Sequence, residues 1–287
     1  MKKKLFSFIV LAAAAVFVLA GCGGSKSSDS KERKYVVGVT TEQQKEIWKY
    51  VGKQVAKDGI KIDVKIFSGY TEENPALADG SLDLNSFQHV AFLNNFNKEN
   101  GEDLVPIAFT LISPFGLYSG IEKGSTGDYK NAEKKIKSYK DLKDGDTVAI
   151  QNDVTNGGRA LQLLDAIGVI TLKKDAPESP TVKDIEKYNT KIEIKEIQAD
   201  QIASVLPDVT AATINTNFVN DQLNTTPREA ALYIDTDHLE KVNDIYKNVI
   251  AARKEDENKK DFKTIVKAYQ TPEVAKLIEK TNDMPAW

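Results

Sequence analysis

Apolar positions along the chain switch repeatedly between a period of two and a period near four. Lys34–Val39 (KYVVGV) is a short apolar run closed by Gly38 and Thr40. From Glu42 to Lys57, Ile47, Val51 and Val55 share one face, which predicts an amphipathic helix stopping at Asp58-Gly59. Ile60–Phe67 alternates Ile62, Val64 and Ile66, the signature of a strand. A short helix over Asn74–Asp79, a strand at Leu82–Leu84, a helix over Phe87–Asn97 and a strand at Leu104–Ala108 follow. Strands separated by helices imply parallel pairing in a sheet covered on both faces.

The pattern then repeats. Ile112–Ser119 is apolar but interrupted by Pro114 and Gly116, and Lys123–Lys137 is polar and lysine-rich. Strand Thr147–Ile150, a helix from about Gly157 to Ile167, strand Ile192–Ile197, a helix around Asp200–Leu206 and strand Ala211–Asn215 follow. Polar Asn220–Glu229 leads to strand Asn248–Arg253 and two closing helices, Lys259–Tyr269 and Glu273–Lys280. Two α/β units in one chain suggest two lobes with a cleft, and ligands of open α/β sheets sit beyond the carboxyl ends of the strands.

The first residues read differently. Lys2-Lys3-Lys4 is followed by the apolar run Leu5–Ala20, shorter than the ~20 residues that span a bilayer and ending in small residues. Leu19-Ala20-Gly21-Cys22 resembles a bacterial lipobox, in which Cys22 is lipidated and becomes the mature N-terminus. Cys22 is the one cysteine in the chain, which excludes an intrachain disulfide. Residues 1–21 are therefore expected to be a signal peptide and 22–34 a flexible tether of Gly, Ser and charge. This places the body outside the cytoplasmic membrane, held by lipid.

Composition narrows the function. Of 39 Lys and Arg, three leave with the signal peptide, so 36 face 42 Asp and Glu and the body carries −6. No basic stripe with interleaved aromatics is present, which argues against nucleic acid. Only two histidines occur, with neither H-E-x-x-H nor G-x-S-x-G, so an extracellular enzyme is poorly supported. No G-x-x-x-x-G-K-[ST] loop is present, and no cofactor or metal is expected.

The stretch Gln151–Leu164 (QNDVTNGGRALQLL) carries the most specific chemistry. It reads as a strand end, a polar turn and a helix start, with Asn156 as a plausible N-cap. Arg159 then falls in or near the first helical turn, where the dipole disfavours a cation unless an anion joins it. A guanidinium there could grip a carboxylate with two parallel bonds. The alternative is an Arg paired with a nearby Asp or lying on the surface.

Further motifs stand in order along the chain: FSGYTEENPALADGSLDLNSFQHVAFL, ISPFGLYS, NDVTNGGRALQLL, INTNF, KNVIAARKED, AYQTPEV and the terminal PAW. Together they resemble the methionine-binding lipoproteins of ABC importers, the NlpA family, over essentially the whole mature chain. The resemblance implies a two-lobed type II periplasmic-binding-protein fold, mainly parallel sheets flanked by helices. Lobe 1 would comprise 35–115 and 246–287, and lobe 2 116–245. Arg159 matches the arginine that holds the ligand carboxylate, with Asn156 in the same motif. Asn215 and Asn248 match positions binding the amino-acid head group. Tyr70, Phe87, His89 and Phe92 match the aromatic wall around a thioether, which packs well against rings. His89 has a plainer alternative as a satisfied structural histidine.

The chain departs from the family pattern in that wall. Gly69 stands where Asp usually precedes the tyrosine, Phe92 where tyrosine is common, and Asn74-Pro75 inverts the usual order. The resemblance thus implies an α-amino acid first and L-methionine second. The expected partners are that amino acid, a separate permease and cytoplasmic ATPase, and the membrane through the N-terminal lipid. A binding protein for another amino acid or small peptide, and a surface adhesin or sensor, are the alternatives.

Overall fold

The computed structural model describes residues 32–125, 128–235 and 244–287, so the expected signal peptide and Cys22 lie outside the described residues. In chain order the first unit runs β1 (Arg33–Val39), α1 (Glu42–Val55), β2 (Ile60–Ile66), α2 (Glu73–Ala78), β3 (Leu84–Asn85), α3 (Val90–Asn100), β4 (Val105–Phe109) and β5 (Leu111–Ile112). The second runs β6 (Phe115–Ser119), β7 (Thr147–Gln151), α4 (Val154–Ala166), β8 (Ile170–Leu172), β9 (Ile185–Tyr188), β10 (Glu193–Ile197), β11 (Ala211–Asn215), α5 (Thr216–Gln222), α6 (Pro227–Ala230) and β12 (Tyr233–Ile234). The chain closes with β13 (Val249–Ala252), α7 (Lys260–Tyr269), α8 (Pro272–Glu279) and β14 (Met284–Pro285).

These strands build two five-stranded sheets, ordered β2-β1-β3-β13-β4 and β10-β7-β11-β6-β12. In each sheet four strands share one direction and one opposes them: β13 in the first, β6 in the second. Both opposing strands enter their sheet from a crossing segment, so helix-separated strands account for the parallel pairs and the crossings for the exceptions. Where the chain leaves the first unit, β5 pairs antiparallel with β14, Met284 opposite Ile112.

Each sheet is packed on both faces. Trp48, Val51, Phe262 and Ile265 cover one face of the first, and Phe67, Leu77 and Leu93 lie in a separate cluster with Val249 and Ala251. The second sheet packs Val148 and Ile150 against Leu161 and Leu164 of α4, and Ala212 and Ile214 against Ile202 and Phe218. Such side chains each contribute about 1.5–3 kcal/mol on full burial. The result is the two-lobed α/β architecture expected.

Several boundaries move. β1 begins at Arg33, inside the expected tether, because Arg33 pairs with Ile60 and its Nε meets Asp261 Oδ2 at 2.6 Å. The third helix starts at Val90, so Phe87 and His89 precede it. Asp200–Leu206 lies in a 3-10 stretch, Ala199–Asp208, which contains Pro207. Asn156 is not a cap: α4 starts at Val154, and Asp153 accepts the Asn156 backbone N–H. Arg159 consequently sits in the second turn, beyond the reach of the helix-end dipole.

Candidate functional site

The eight binding residues expected from the sequence, Tyr70, Phe87, His89, Phe92, Asn156, Arg159, Asn215 and Asn248, all line one cavity between the two sheets. Its volume of ≈ 60 Å³ is several times the ~10–15 Å³ that one water needs. Residues the sequence reading missed also line it, among them Ser113, Phe115, Asn220, Thr281 and Asp283, together with Asn217 of the INTNF motif. Strand ends and helix starts supply nearly all of them, as open α/β sheets require.

Tyr70, Phe87 and Phe92 form a triangle of rings, with centroids 5.8 Å, 6.0 Å and 5.9 Å apart. Phe218 closes it from the second lobe, 5.1 Å from Tyr70. Burial raises the Tyr70 phenol well above its ordinary range, so it stays a donor, and it donates to Asn217 Oδ1 at 2.6 Å. That bond joins the loop after β2 to the start of α5.

His89 is both structural and cavity-lining. Its Nδ1 accepts the Phe92 N–H at 3.1 Å and caps α3, which leaves the proton on Nε2 facing Asn156 Oδ1 at 3.4 Å. Burial and the neighbouring Arg159 charge push its pKa down to about 4, so the ring is neutral at physiological pH. Asn156 and Asn215 are engaged with the protein. Asn156 donates to both Asp153 oxygens and accepts from Asn215 Nδ2 at 2.9 Å, while Asn215 Oδ1 accepts from Gln151 Nε2 at 2.9 Å. Gly157 permits this turn to be tight: a Cβ there would stand 2.7 Å from the Gln151 carbonyl oxygen.

Arg159 is 6% exposed and sandwiched between the Phe115 and Tyr246 rings, at 5.0 Å and 4.7 Å. Its Nε and Nη2 donate to Asp235 Oδ2 at 2.8 Å and 2.5 Å, and Nη2 also to the Ser113 carbonyl. Asp235 in turn accepts the Phe115 N–H. Pairing with a nearby Asp, the alternative left open by the sequence, therefore occupies one edge of the guanidinium. Nη1 donates to none of the described residues. The Asn248 side-chain amide is likewise without a hydrogen bond there, while its backbone bridges to His89 and holds Leu111.

Two further amide atoms on α5, Asn217 Nδ2 and Asn220 Oδ1, are buried without a partner among the described residues. Among those residues no group of three or more His, Cys, Asp or Glu could hold a metal ion. Asp235 carried no local signal, one acid among many after a two-residue strand. Asn220 opened a segment read simply as polar, and Asn217 fell in the INTNF motif, where only Asn215 was matched to the ligand.

Residues 35–287 match the family described as NlpA lipoprotein. The chain belongs to that family. A relative named D-methionine-binding lipoprotein MetQ, from Escherichia coli strain K12, is 33% identical over 284 residues, covering 96% of both chains. The substrate binding protein of a methionine transporter from Streptococcus pneumoniae superposes with a TM-score of 0.78 at 34% identity, covering 88% of this chain and 96% of that one. A nutrient binding protein from Burkholderia cenocepacia bound to methionine gives 0.76 at 35%, covering 88% and 100%. The match to the NlpA lipoprotein family thus takes in strands of both sheets.

Proposed function

We propose that this chain is the substrate-binding lipoprotein of an ABC importer, capturing methionine or a closely related amino acid between two closing lobes. It is a binding protein and not an enzyme, in keeping with its family and relatives. One observation carries the reading: a stacked guanidinium whose Nη1 has no partner among the described residues and a three-ring apolar wall line the same cavity. An α-amino acid with an apolar or thioether side chain needs both. The carboxylate would take Arg159 Nη1, the Asn248 amide would complete the head group, and the side chain would lie against Tyr70, Phe87 and Phe92. Asn156, Asn215 and His89 would shape this pocket through the hydrogen bonds that join them.

Lobe 1 comprises residues 35–115 and 246–287 and lobe 2 residues 116–245. Separate sheets with separate cores support this division. Delivery goes to a permease and ATPase carried by other chains, with lipid on Cys22 tethering the body outside the membrane. No helix among the described residues is long and apolar enough to cross a membrane.

The test is calorimetric titration of the full chain, purified in detergent and freed of co-purified ligand, with L-methionine, D-methionine and a panel of other amino acids. Methionine binding that weakens about ten- to a hundredfold in Arg159→Ala, the loss expected for charged hydrogen bonds, supports the reading. Wild-type chain that binds no amino acid overturns it.

A further inference from the structure

A second charged group lines the cavity, and no cation among the described residues pairs with it. Asp283 follows α8 in the strap that places β14 beside β5, and so lies next to Ser113. Its Oδ1 accepts the Ser113 hydroxyl at 2.6 Å and its Oδ2 the Thr281 hydroxyl at 2.5 Å. No Lys, Arg or His among the described residues forms an ion pair with it. Burial pushes its pKa up to about 6, although both hydroxyls hold it down. A carboxylate withdrawn from water without a cation is costly, and the cost is offset when a cation joins it.

The surroundings favour a ligand cation. Asn220 Nδ2 donates to the Thr281 carbonyl at 2.9 Å, which brings α5 to this strap and leaves Asn220 Oδ1 as a second acceptor with no donor among the described residues. Arg159 is tied to the same residue, because its Nη2 is bonded to the carbonyl of Ser113, whose hydroxyl holds Asp283. A cation and an anion thus line one cavity, linked through a single residue, as a ligand that carries both charges requires.

We propose that Asp283, with Asn220 Oδ1 beside it, is the ammonium subsite of the cavity, receiving the cationic end of a zwitterionic amino acid whose carboxylate lies on Arg159. The inference rests on the amino-acid reading above and adds to it the requirement for a free amine. The sequence singled out neither residue.

The test pairs a protein change with a ligand change. Asp283→Asn keeps the size of the side chain, with one oxygen to accept a hydroxyl and an amide N–H to donate to the oxygen of the other. In the full chain it weakens L-methionine about ten- to a hundredfold, the range for a lost charged hydrogen bond. The desamino analogue of methionine, which lacks the ammonium, gives at saturation the same thermal shift on wild type and variant. Equal weakening toward both ligands, or unchanged methionine affinity, overturns the subsite while the amino-acid reading stands. Wild type that binds no amino acid overturns both. If Asp283→Asn fails to fold, Asn220→Ala reads the same subsite: selective loss of methionine supports it, and equal loss of both ligands overturns it.

Discussion

At the scale of single residues, the buried acids set how stability responds to pH. Glu73 on α2 is fully buried, and neither carboxylate oxygen has a hydrogen-bond partner among the described residues. Burial raises its pKa to about 8, opposed only in part by nearby backbone N–H groups. The folded chain therefore keeps a proton that the unfolded chain releases near pH 4.5. The contribution is fully present below that pH and lost as pH rises through about 8, at about 1.4 kcal/mol per unit. His89 has the opposite sign. Its folded pKa of about 4 lies below the ordinary 6.5, so its effect is confined to acid pH, and that of Asp283 ends near pH 6. Between pH 6.5 and 8 Glu73 stands apart from both. Wild type should lose roughly 4–8 °C of melting temperature across that window, from about 2 kcal/mol in a body of this size. Glu73→Gln should melt at nearly constant temperature over the same range. A wild-type melting curve flat from pH 6.5 to 8 would contradict this account of Glu73.

At the scale of elements, the departure at Gly69 acquires a reason. This residue follows β2, and a Cβ built on it would lie 3.3 Å from the carboxylate of Asp200, in the 3-10 stretch before β11. An aspartate there would place two carboxylates against each other across the lobes, at a cost that falls on the closed arrangement. Gly69→Asp should therefore weaken ligand binding several-fold, and the double change Gly69→Asp with Asp200→Asn should recover most of the loss. Calorimetric titration of the two variants checks it, and a double variant as weak as the single one would refute it. The case also shows what sequence patterns can reach. Periodicity located the longer strands and helices, because a buried face repeats every two or about four residues, and it missed short elements such as β5, β8, β9, β12, β14, α5 and α6. Motif resemblance located all eight cavity residues expected. Partners distant in sequence were not legible: Asp235 on Arg159 is 76 residues away, and Asn217 on Tyr70 is 147. The cap of α4 was misplaced onto Asn156 because Asp153, Asn152 and Asn156 are all competent caps, and only the backbone decides among them.

At the scale of the whole molecule, function depends on how firmly the lobes hold each other without ligand. Among the described residues, side chains join the lobes at several points. Tyr70 donates to Asn217, Asn220 to the Thr281 carbonyl, Arg159 to the Ser113 carbonyl and Tyr246 to Gln162, while His89 approaches Asn156 at 3.4 Å. Such bonds add about 0.5–1.5 kcal/mol each to a closed arrangement, enough to set its population without locking it. Ligand affinity scales with that population, since only closed molecules offer both walls at once. Tyr70→Phe keeps the ring in the aromatic triangle and removes only the hydroxyl. Its expected effect is thus a two- to tenfold loss of methionine affinity, about 0.5–1.5 kcal/mol, with the ring contacts to Phe87 and Phe92 retained. The loss should come with a larger radius of gyration in small-angle scattering of the ligand-free chain, and ligand at saturation should remove the difference. If instead affinity falls while the scattering profiles of variant and wild type coincide, the hydroxyl serves the ligand directly and does not hold the lobes together.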